Sequence, residues 1–478
     1  MRWESELFEN KYRVYAMLCV VGVLLYAKTF LYGFTYLDDN ILILGNIPFL
    51  SDLGNIFNAF AHDVFFTVNG TTAYYRPLLT VSFMPETILG GALPFFYHFA
   101  NVGIHLLAVC LVYALGTKLN YSKRVSLLLA LIFLVHPVLT QAVAWLPGRN
   151  DSLLAVFILA SFNYFLDFIE RGKREYILWS VLFFALALFT KETAIVLPVL
   201  AIGYLRIRNR MEKNTILEFG AGWFIAILIW LPLRITAMTN PLPMSLHGIV
   251  STFLENVPGT LQLLGKVFFP FNLSVLPVLQ DTTFLWGYIA AALVALLTLL
   301  QLKNRQASRH TYFMMLFGFM WFLAFLWPSF IGSDSSGGTD FMEHRLYLPI
   351  IGLLIFLAES SLVRILDEPA GEWLFPPWFL VLLAFFCITF VHENVFADRL
   401  IFWQDAAVNS PHSSFAQKNL GAMYYLDQNY PLAELYSRRA LALNPQEPMA
   451  PNNLGLINVA RGDMKAAERE YLQEISFN

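Results

Sequence analysis

The stretch from residue 14 to residue 33 reads VYAMLCVVGVLLYAKTFLYG and carries one charged side chain, Lys28. A helix needs about 20 mostly apolar residues to cross the hydrocarbon core of a bilayer. The run is too long for the apolar core of a signal peptide, and no small-residue cleavage site follows it. We therefore predict a membrane-spanning helix here and not a cleaved leader.

Ten similar runs follow, separated by polar loops. Of the 478 residues, 57% are hydrophobic and 14% are charged, whereas soluble domains carry about 25% charged residues. Several runs are short, so tilted or paired helices are allowed. The sequence thus predicts an all-α polytopic membrane helix bundle of about eleven spans. The predicted spans are 14–33, 95–117, 125–138, 153–169, 176–189, 193–205, 216–233, 284–302, 312–330, 348–363 and 374–391.

The segment 253–279 is predicted to be interfacial or re-entrant, because Pro258, Pro270 and Pro277 interrupt it. Lys and Arg cluster in one set of loops, for example 118–124 and 171–174, and occur singly in the opposite set. Basic residues favour the cytoplasmic side. We expect a cytoplasmic N-terminus and a C-terminal tail on the other face, which is periplasmic in a bacterium or lumenal in a eukaryotic endoplasmic reticulum.

The last part of the chain contains a repeat. The tripeptide Asn-Leu-Gly occurs at 419–421 and at 453–455, and Ala433 recurs as Ala467. Both spacings are 34 residues, the period of tetratricopeptide helix pairs. The predicted domains are a membrane domain, 1–395, and two tetratricopeptide-type repeats, 412–478. Such pairs bury their apolar faces against neighbours, so we expect further repeats, a partner or the membrane domain to cover them.

Charge and cysteine content exclude two classes of function. The net charge of −3 argues against nucleic acid as a partner. The cysteines Cys19, Cys110 and Cys387 all lie in apolar runs. A disulfide framework or a cysteine metal site is therefore not expected.

The loops predicted on the non-cytoplasmic face carry both acids and bases beside helix ends. Ionisable residues at a membrane boundary are costly unless they pair or face a cavity. Because several separate loops share this content, we predict one site assembled from several helix ends. The motifs are Asp38-Asp39, Tyr-Arg-Pro-Leu at 75–78, His-Pro at 136–137, Gly-Arg-Asn-Asp at 148–151, Lys-Glu-Thr at 191–193 and Glu-His-Arg-Leu-Tyr-Leu-Pro at 343–349.

Asp38 and Asp39 directly follow the first predicted span. Adjacent carboxylates raise each other's proton affinity. One of them could act as general base for a hydroxyl acceptor, or the pair could bind a divalent cation. A solvated loop start that only marks a helix end is the alternative, and it stays open at this point.

Four basic residues of these loops could clamp a phosphate and stabilise it as a leaving group. They are Arg76, Arg149, Lys191 and Arg345. The alternative for each is snorkelling to the interface or internal ion pairing. His98, Asn101 and His105 share one face of the second span, and polar packing between helices is the interpretation we favour for them.

Together, in their order along the chain, these motifs resemble the transmembrane-and-tetratricopeptide O-mannosyltransferases, which belong to the GT-C class of glycosyltransferases. The resemblance covers almost the whole chain, from the membrane domain to the repeats. The chain departs from the family pattern in having only two repeats and in carrying His344 where an arginine or a similar residue is more usual.

The resemblance implies a polytopic GT-C-like bundle that transfers a sugar from a polyprenyl-phosphate carrier to a Ser or Thr hydroxyl of a protein, with inversion at the sugar carbon. It implies that Asp38 or Asp39 deprotonates the acceptor and that the four basic residues hold the lipid phosphate. The other residues of these motifs that we assign to substrate binding are Asp151, Glu192, Glu343 and Tyr347. No metal cofactor is required, although a divalent metal is not excluded.

Two other functions stay open. A glycan polymerase or ligase would share the phosphate site but use a carbohydrate acceptor. A transporter of a lipid-linked substrate would place its binding residues near the midplane and show internal symmetry, and the polar residues here lie at helix ends instead. In every case the expected partners are membrane lipid, a lipid-linked substrate and, through the repeats, a protein or glycan acceptor.

Overall fold

The computed structural model describes residues 7–68, 74–238, 245–304, 308–331, 341–361, 363 and 377–477. Every regular element that these residues form is an α-helix or a 3-10 helix, so the all-α prediction is confirmed. The helices of ten or more residues are Lys11–Tyr26, Pro77–Gly90, Pro94–Lys118, Lys123–Val135, Arg149–Arg171, Glu175–Thr190, Leu197–Ile207, Lys213–Ala237, Leu246–Asn256, Gly259–Phe268, Leu285–Lys303, Arg309–Leu326, Pro349–Glu359, Pro377–His392, Arg399–Asn409, Ser414–Leu426, Tyr430–Leu443, Ala450–Ala460 and Met464–Ile475.

The membrane bundle is multi-pass, as predicted. Within the described ranges, seven helices are long and apolar enough to cross a membrane, or eight if the bent pair Lys123–Val135 and Pro137–Ala144 counts as one span. The remaining three predicted spans correspond to the shorter helices Glu175–Thr190, Leu197–Ile207 and Pro349–Glu359. The helix Pro77–Gly90 was not predicted as a span and has 14 residues.

A bend of 53° ends the predicted span 125–138 early. Pro137 has no backbone N–H to continue the helical ladder, and Nδ1 of His136 accepts a hydrogen bond from the N–H of Val138 at 3.3 Å. The chain then turns inside the protein, because every residue from 136 to 152 is buried. This turn places Trp145 and Asp151 at the end of the bundle.

Burial separates a central helix from peripheral ones. In the span Leu146–Arg171, 72% of the most apolar window is buried, whereas 17% is buried in Trp378–Phe396. Peripheral helices expose leucines such as Leu228 and Leu299. In water such surfaces would mark an interface, but in a membrane protein they face lipid.

Two glycines let the helices Arg309–Leu326 and Pro349–Glu359 approach closely. A Cβ atom at Gly318 would overlap the carbonyl of Gly352, and one at Gly352 would overlap the carbonyl of Gly318. Small residues at such crossings allow backbone contact between membrane helices. This contact anchors the helix that directly follows the motif at 343–349.

Within the described chain, the segment 253–279 contains no helix long enough to span a membrane, and its interfacial or re-entrant position stays a prediction. The helices Leu246–Asn256 and Gly259–Phe268 are followed by irregular chain up to the short 3-10 turn Leu279–Asp281. Pro258 lies between the two helices.

The tail forms two successive helical hairpins in a 34-residue register. Gly421 packs against Ser437 in the first hairpin, and Gly455 packs against Tyr471 in the second. Both members of the contact are thus displaced by 34 residues. The tetratricopeptide assignment and the domain limits 1–395 and 412–478 stay predictions.

The helix Arg399–Asn409 connects the tail to the membrane bundle. The indole Nε1 of Trp403 donates to the carbonyl of Thr35 at 3.0 Å, and the Ser410 hydroxyl donates to the carbonyl of Leu276 at 2.6 Å. The backbone N–H of His412 donates to the Asp281 carboxylate at 2.9 Å. The tail therefore rests directly on the loops that carry the candidate site.

Candidate functional site

The two aspartates of the first loop have different environments. The Asp39 carboxylate is fully buried and accepts hydrogen bonds from the Thr35 N–H at 2.7 Å, the Thr35 hydroxyl at 2.9 Å and the Tyr36 N–H at 2.7 Å. These hydrogen bonds fold the segment from Thr35 to Asp39 into a closed loop. Burial, helped by the neighbouring Asp38, raises the pKa of Asp39 to about 7 although these three hydrogen bonds oppose the shift.

Asp38 is half-buried and stands at the start of the short helix Asp39–Leu42. Its backbone has φ 65° and ψ −32°, a left-handed region that non-glycine residues rarely occupy. The Asp38 carbonyl accepts from the N–H of Leu42 at 2.7 Å. Strain of this kind costs on the order of 1–3 kcal/mol and clusters at functional sites.

Trp145 joins the first loop to the last one. Its indole Nε1 donates to the carbonyl of Leu37 at 2.9 Å, and its ring centroid lies 5.2 Å from that of His344. The backbone N–H of His344 in turn donates to Oε1 of Gln141 at 3.1 Å. The structure buries Trp145 between these two loops.

Three of the predicted motifs meet at Asp151. Nζ of Lys191 lies 2.7 Å from Oδ1 of Asp151, and Nε2 of His344 lies 3.8 Å from Oδ2. Burial first, and then the nearby positive charges, lower the pKa of His344 to about 3 although Asp151 opposes this shift. The imidazole is therefore neutral at physiological pH.

Arg76 and Glu192 form a second ion pair, with 3.4 Å between Nη2 and Oε1. The Arg76 guanidinium also stacks on the ring of Tyr74 at 4.2 Å. Burial alone would raise the pKa of Glu192, but the charges of Arg76 and Lys191 outweigh it and hold that pKa below its ordinary value. Burial, with Arg76 nearby, lowers the pKa of Lys191 although Asp151 opposes the shift.

Arg149 lies apart from these pairs, with its side chain fully buried. Its guanidinium lies 2.8 Å from Oε1 of Glu86 and donates to Oδ1 of Asn101 at 2.6 Å and to the carbonyls of Ser82 at 2.6 Å and Tyr97 at 3.0 Å. Every guanidinium nitrogen thus has a partner within the protein. This environment is that of an arginine that ties three helices together.

Glu343 points to the opposite side of its loop from His344. Its fully buried carboxylate accepts from Nζ of Lys266 at 2.7 Å and from the N–H of Ser274 at 2.8 Å, and Nε2 of His392 lies 3.6 Å away. Burial alone would raise the pKa of Glu343, but Lys266 and His392 hold it below its ordinary value. Glu343 therefore anchors the interfacial segment to the bundle.

The last two predicted residues also differ in environment. Arg345 is half-buried, and its Nη1 donates to the carbonyl of Ser329 at 2.8 Å. The Tyr347 hydroxyl is buried and lies 2.6 Å from Nδ1 of His105. His105 and Asn101 both lie in the second span, Pro94–Lys118, and Asn101 accepts a hydrogen bond from Arg149. The structure thus confirms that the polar face of this span serves packing between helices.

The structure thus brings together Arg76, Asp151, Lys191 and Glu192 beside His344, and Trp145 connects this group to the loop of Asp38 and Asp39. It places Arg149, Glu343 and Tyr347 among buried partners. Sequence reasoning did not select Trp145, His344 or Lys266. The first two lie inside or next to quoted motifs, which was the available signal. Within the described parts of the chain, no group of three His, Cys, Asp or Glu side chains is arranged to hold a metal ion.

Known proteins share the membrane part of this chain. The family model described as dolichyl-phosphate-mannose-protein mannosyltransferase matches residues 90–235. The Drosophila melanogaster protein O-mannosyl-transferase Tmtc1 is 34% identical over 178 residues, which cover 37% of this chain and 20% of the relative.

Mammalian relatives match over a longer stretch. Protein O-mannosyl-transferase TMTC4 of Mus musculus is 31% identical over 227 residues, and that of Homo sapiens is 30% identical over 226; each match covers 40% of this chain and 30% of the relative. The chain therefore spans less than a third of the length of these relatives. The family resemblance predicted from the ordered motifs is confirmed: over part of its length, this chain is similar to protein O-mannosyl-transferases of the transmembrane-and-tetratricopeptide family.

Proposed function

We propose that this protein is a membrane glycosyltransferase that moves a sugar from a polyprenyl-phosphate carrier to a Ser or Thr hydroxyl of a protein, on the non-cytoplasmic face. The observation that carries the proposal is a pair of neighbouring buried ion pairs, Arg76–Glu192 and Lys191–Asp151. Trp145 contacts both His344, beside Asp151, and the loop that carries Asp38. Separate loops contribute to this group, as a site for two substrates requires.

The reaction is a single displacement. The acceptor oxygen attacks the anomeric carbon as its proton moves to a carboxylate, and the bond from that carbon to the phosphate oxygen breaks. The phosphate keeps the electron pair and gains one negative charge. The configuration at the anomeric carbon inverts, because attack and departure occur on opposite faces.

Asp38 is the general base. Its side chain is half-buried, whereas the Asp39 carboxylate is fully buried and accepts three hydrogen bonds within its own loop. Asp39 is therefore a positioning residue that holds Asp38 in its left-handed conformation. General-base catalysis of this kind contributes about 10²- to 10⁴-fold in rate.

Arg76, Lys191 and Arg345 receive the leaving phosphate. Asp151 pairs with Lys191 and Glu192 pairs with Arg76, and Arg345 follows His344 in the neighbouring loop. The two carboxylates orient the cations before the reaction, and preorganised charge of this kind costs no rearrangement in the transition state. The phosphate charge is balanced without a metal ion on this account.

The tail supports a protein acceptor. The helix Arg399–Asn409, which leads into the tail, packs on the first loop, with Trp403 bonded to the carbonyl of Thr35 four residues from Asp39. A chain bound along the tail helices would thus lie beside the loop of Asp38. The N-terminus is cytoplasmic and the tail non-cytoplasmic in this proposal, in accord with the distribution of Lys and Arg.

The test is transfer of label from radiolabelled polyprenyl-phosphate mannose, and from its glucose counterpart, by the protein in lipid nanodiscs with and without a chelator. Transfer to protein that is lost in Asp38→Asn at unchanged expression would support the proposal. Transfer to glycan alone would identify a polymerase or ligase. Binding of the lipid without transfer would identify a transporter.

A further inference from the structure

The imidazole of His344 lies between two hydrogen-bond acceptors. On one side, Nδ1 lies 3.3 Å from Oε1 of Gln141, and on the other side, Nε2 lies 3.8 Å from Oδ2 of Asp151. An amide oxygen and an ionised carboxylate accept hydrogen bonds but cannot donate them. A neutral ring carries one N–H and can satisfy one of these two acceptors, whereas an imidazolium carries two N–H groups and can satisfy both.

Gln141 determines which ring nitrogen carries the hydrogen in the neutral ring. The Nε2 of Gln141 donates to the carbonyl of Val275 at 2.9 Å, and this bond fixes the orientation of the amide. The Oε1 of Gln141 accepts from the backbone N–H of His344 at 3.1 Å, so Nδ1 of the ring must donate to the same oxygen. The Nε2 of His344 then keeps a lone pair that faces Asp151.

Asp151 leaves one of its oxygens to this histidine. Its Oδ1 is paired with Lys191 at 2.7 Å, whereas its buried Oδ2 accepts no hydrogen bond from the described residues. A lone pair that faces a buried carboxylate oxygen is unfavourable. One proton on Nε2 of His344 would convert this contact into a charge-assisted hydrogen bond.

Positive charges around the ring oppose that proton. Burial, together with Lys191, Arg345 and Arg76, lowers the pKa of His344, and Asp151 opposes this shift. These charges come from three separate loops that pack around the imidazole. An anion bound at the cations would offset their charge, and it would therefore favour the protonated ring.

The ion pair of Arg76 and Glu192 brings this group of charges to the protein surface. The Arg76 side chain is 15% exposed and the Glu192 side chain is 31% exposed, against 8% for Lys191. An anion that binds to Arg76 acts on the imidazole electrostatically and does not need to reach the buried Asp151 oxygen. A phosphate suits a guanidinium, because two parallel hydrogen bonds join them.

We infer that His344 is a proton-accepting residue of this site: a phosphate anion that binds at Arg76 and Lys191 causes Nε2 of His344 to take up one proton from the solvent, and the imidazolium then pairs with Asp151. One N–H bond forms on the ring while a buffer acid or hydronium ion loses its proton. The inference rests on the proposed function, which supplies the lipid phosphate as the anion. Because binding takes up a proton, the phosphate should bind more tightly as the pH falls.

The test counts the protons taken up when farnesyl methyl phosphate binds to the full chain in nanodiscs at pH 6. This prenyl phosphodiester keeps a single negative charge near neutral pH, so the ligand itself does not titrate. Calorimetry in buffers of different ionisation enthalpy should give at least about half a proton per diester, and Kd should rise about three- to tenfold from pH 6 to pH 7. Nitrogen-15 NMR should show Nε2 of His344 becoming protonated as the diester binds.

Two variants identify the residue that takes up the proton. His344→Asn keeps an amide N–H for Gln141 but lacks Nε2, and His344→Arg supplies a permanent charge; both should bind the diester without proton uptake. His412→Asn is the matched control, because His412 also pairs with an aspartate, Asp281, but its side chain is 53% exposed. This control should take up as many protons as the wild-type protein, whose proton count is informative even if a His344 variant does not fold.

The outcomes separate this inference from the proposed function. Saturable binding of the diester without proton uptake by the wild-type protein, or with equal uptake in His344→Asn, would overturn the inference and leave the phosphate site in place. No saturable binding at either pH would overturn both. Proton uptake that is lost in His344→Asn, in a protein that transfers no sugar, would support the inference and refute the proposed reaction alone.

Discussion

Nζ of Lys191 lies 2.7 Å from Oδ1 of Asp151 across forty residues of sequence, and both side chains are almost fully buried. The pair joins the start of the central helix to the loop before Leu197–Ile207. Removing one member of a buried ion pair leaves an uncompensated charge, which typically costs about 3–5 kcal/mol.

The first prediction concerns this pair. Lys191→Met should lower the free energy of unfolding by about 3–5 kcal/mol, and the double variant Lys191→Met, Asp151→Leu should recover most of it, because no buried charge is left. The double variant should still transfer little sugar, since the phosphate loses a cation. Thermal unfolding in nanodiscs and the transfer assay measure the two effects separately, and full activity in the stable double variant would remove Lys191 from the mechanism.

Arg149 and Glu86 provide the second prediction. Arg149→Met should destabilise the protein by about 3–5 kcal/mol because Glu86 remains buried and unpaired. Adding Glu86→Leu should restore the melting temperature and sugar transfer together, since the Arg149 guanidinium is occupied by protein partners. A double variant that is as stable as wild type but inactive would show instead that Arg149 acts on the substrate.

The third prediction separates the two aspartates. Asp38→Asn should reduce the rate of transfer about 10²- to 10⁴-fold and leave the melting temperature nearly unchanged. Asp39→Asn should lower both, because an amide cannot accept all three hydrogen bonds of the Thr35–Tyr36 loop. The reverse pattern, with Asp39→Asn inactive but stable, would make Asp39 the base.

The fourth prediction is a pH dependence of stability. Because the pKa of Asp39 is raised from 3.8 to about 7, its contribution to stability is fully present below 3.8 and is lost as the pH rises through about 7. Wild-type protein should therefore melt at a higher temperature at pH 5.5 than at pH 8, and Asp39→Asn should remove that difference.

The control for this pH dependence is Asp52→Asn, which makes the same chemical change at an exposed side chain in the same loop region. It should leave the difference intact. A wild-type melting temperature that does not fall between pH 5.5 and pH 8 would contradict the burial assigned to the Asp39 carboxylate.

The fifth prediction concerns Arg76, which is paired with Glu192 at 3.4 Å. Arg76→Gln should reduce kcat about 10²- to 10³-fold, as expected for loss of one group that stabilises developing charge, and Arg76→Lys should recover part of it. Arg174→Gln is the matched control, because Arg174 is also paired with a glutamate, Glu218, but its side chain is 84% exposed. Equal losses in the two glutamine variants would point to a general effect on the protein.

The amino-acid sequence alone was sufficient to predict the helical membrane class and the 34-residue register of the tail, and it proposed the loops that we assign to the site. Each of these rests on a local property: the length of an apolar run, a repeated tripeptide or an acid beside a helix end. It also indicated the family, because the order of the motifs can be read directly along the sequence.

Only the tertiary structure distinguished the roles of chemically equivalent residues. Asp38 and Asp39 are neighbours of the same type, yet the Asp39 side chain is fully buried within its own loop and the Asp38 side chain is half-buried. The sequence assigned Arg149 and Arg76 the same role in phosphate binding. In the structure, buried acceptors from Pro77–Gly90 and Pro94–Lys118 surround Arg149. The reason is physical: burial and ion pairing depend on which distant segments come into contact, and the local sequence around a residue does not specify those contacts.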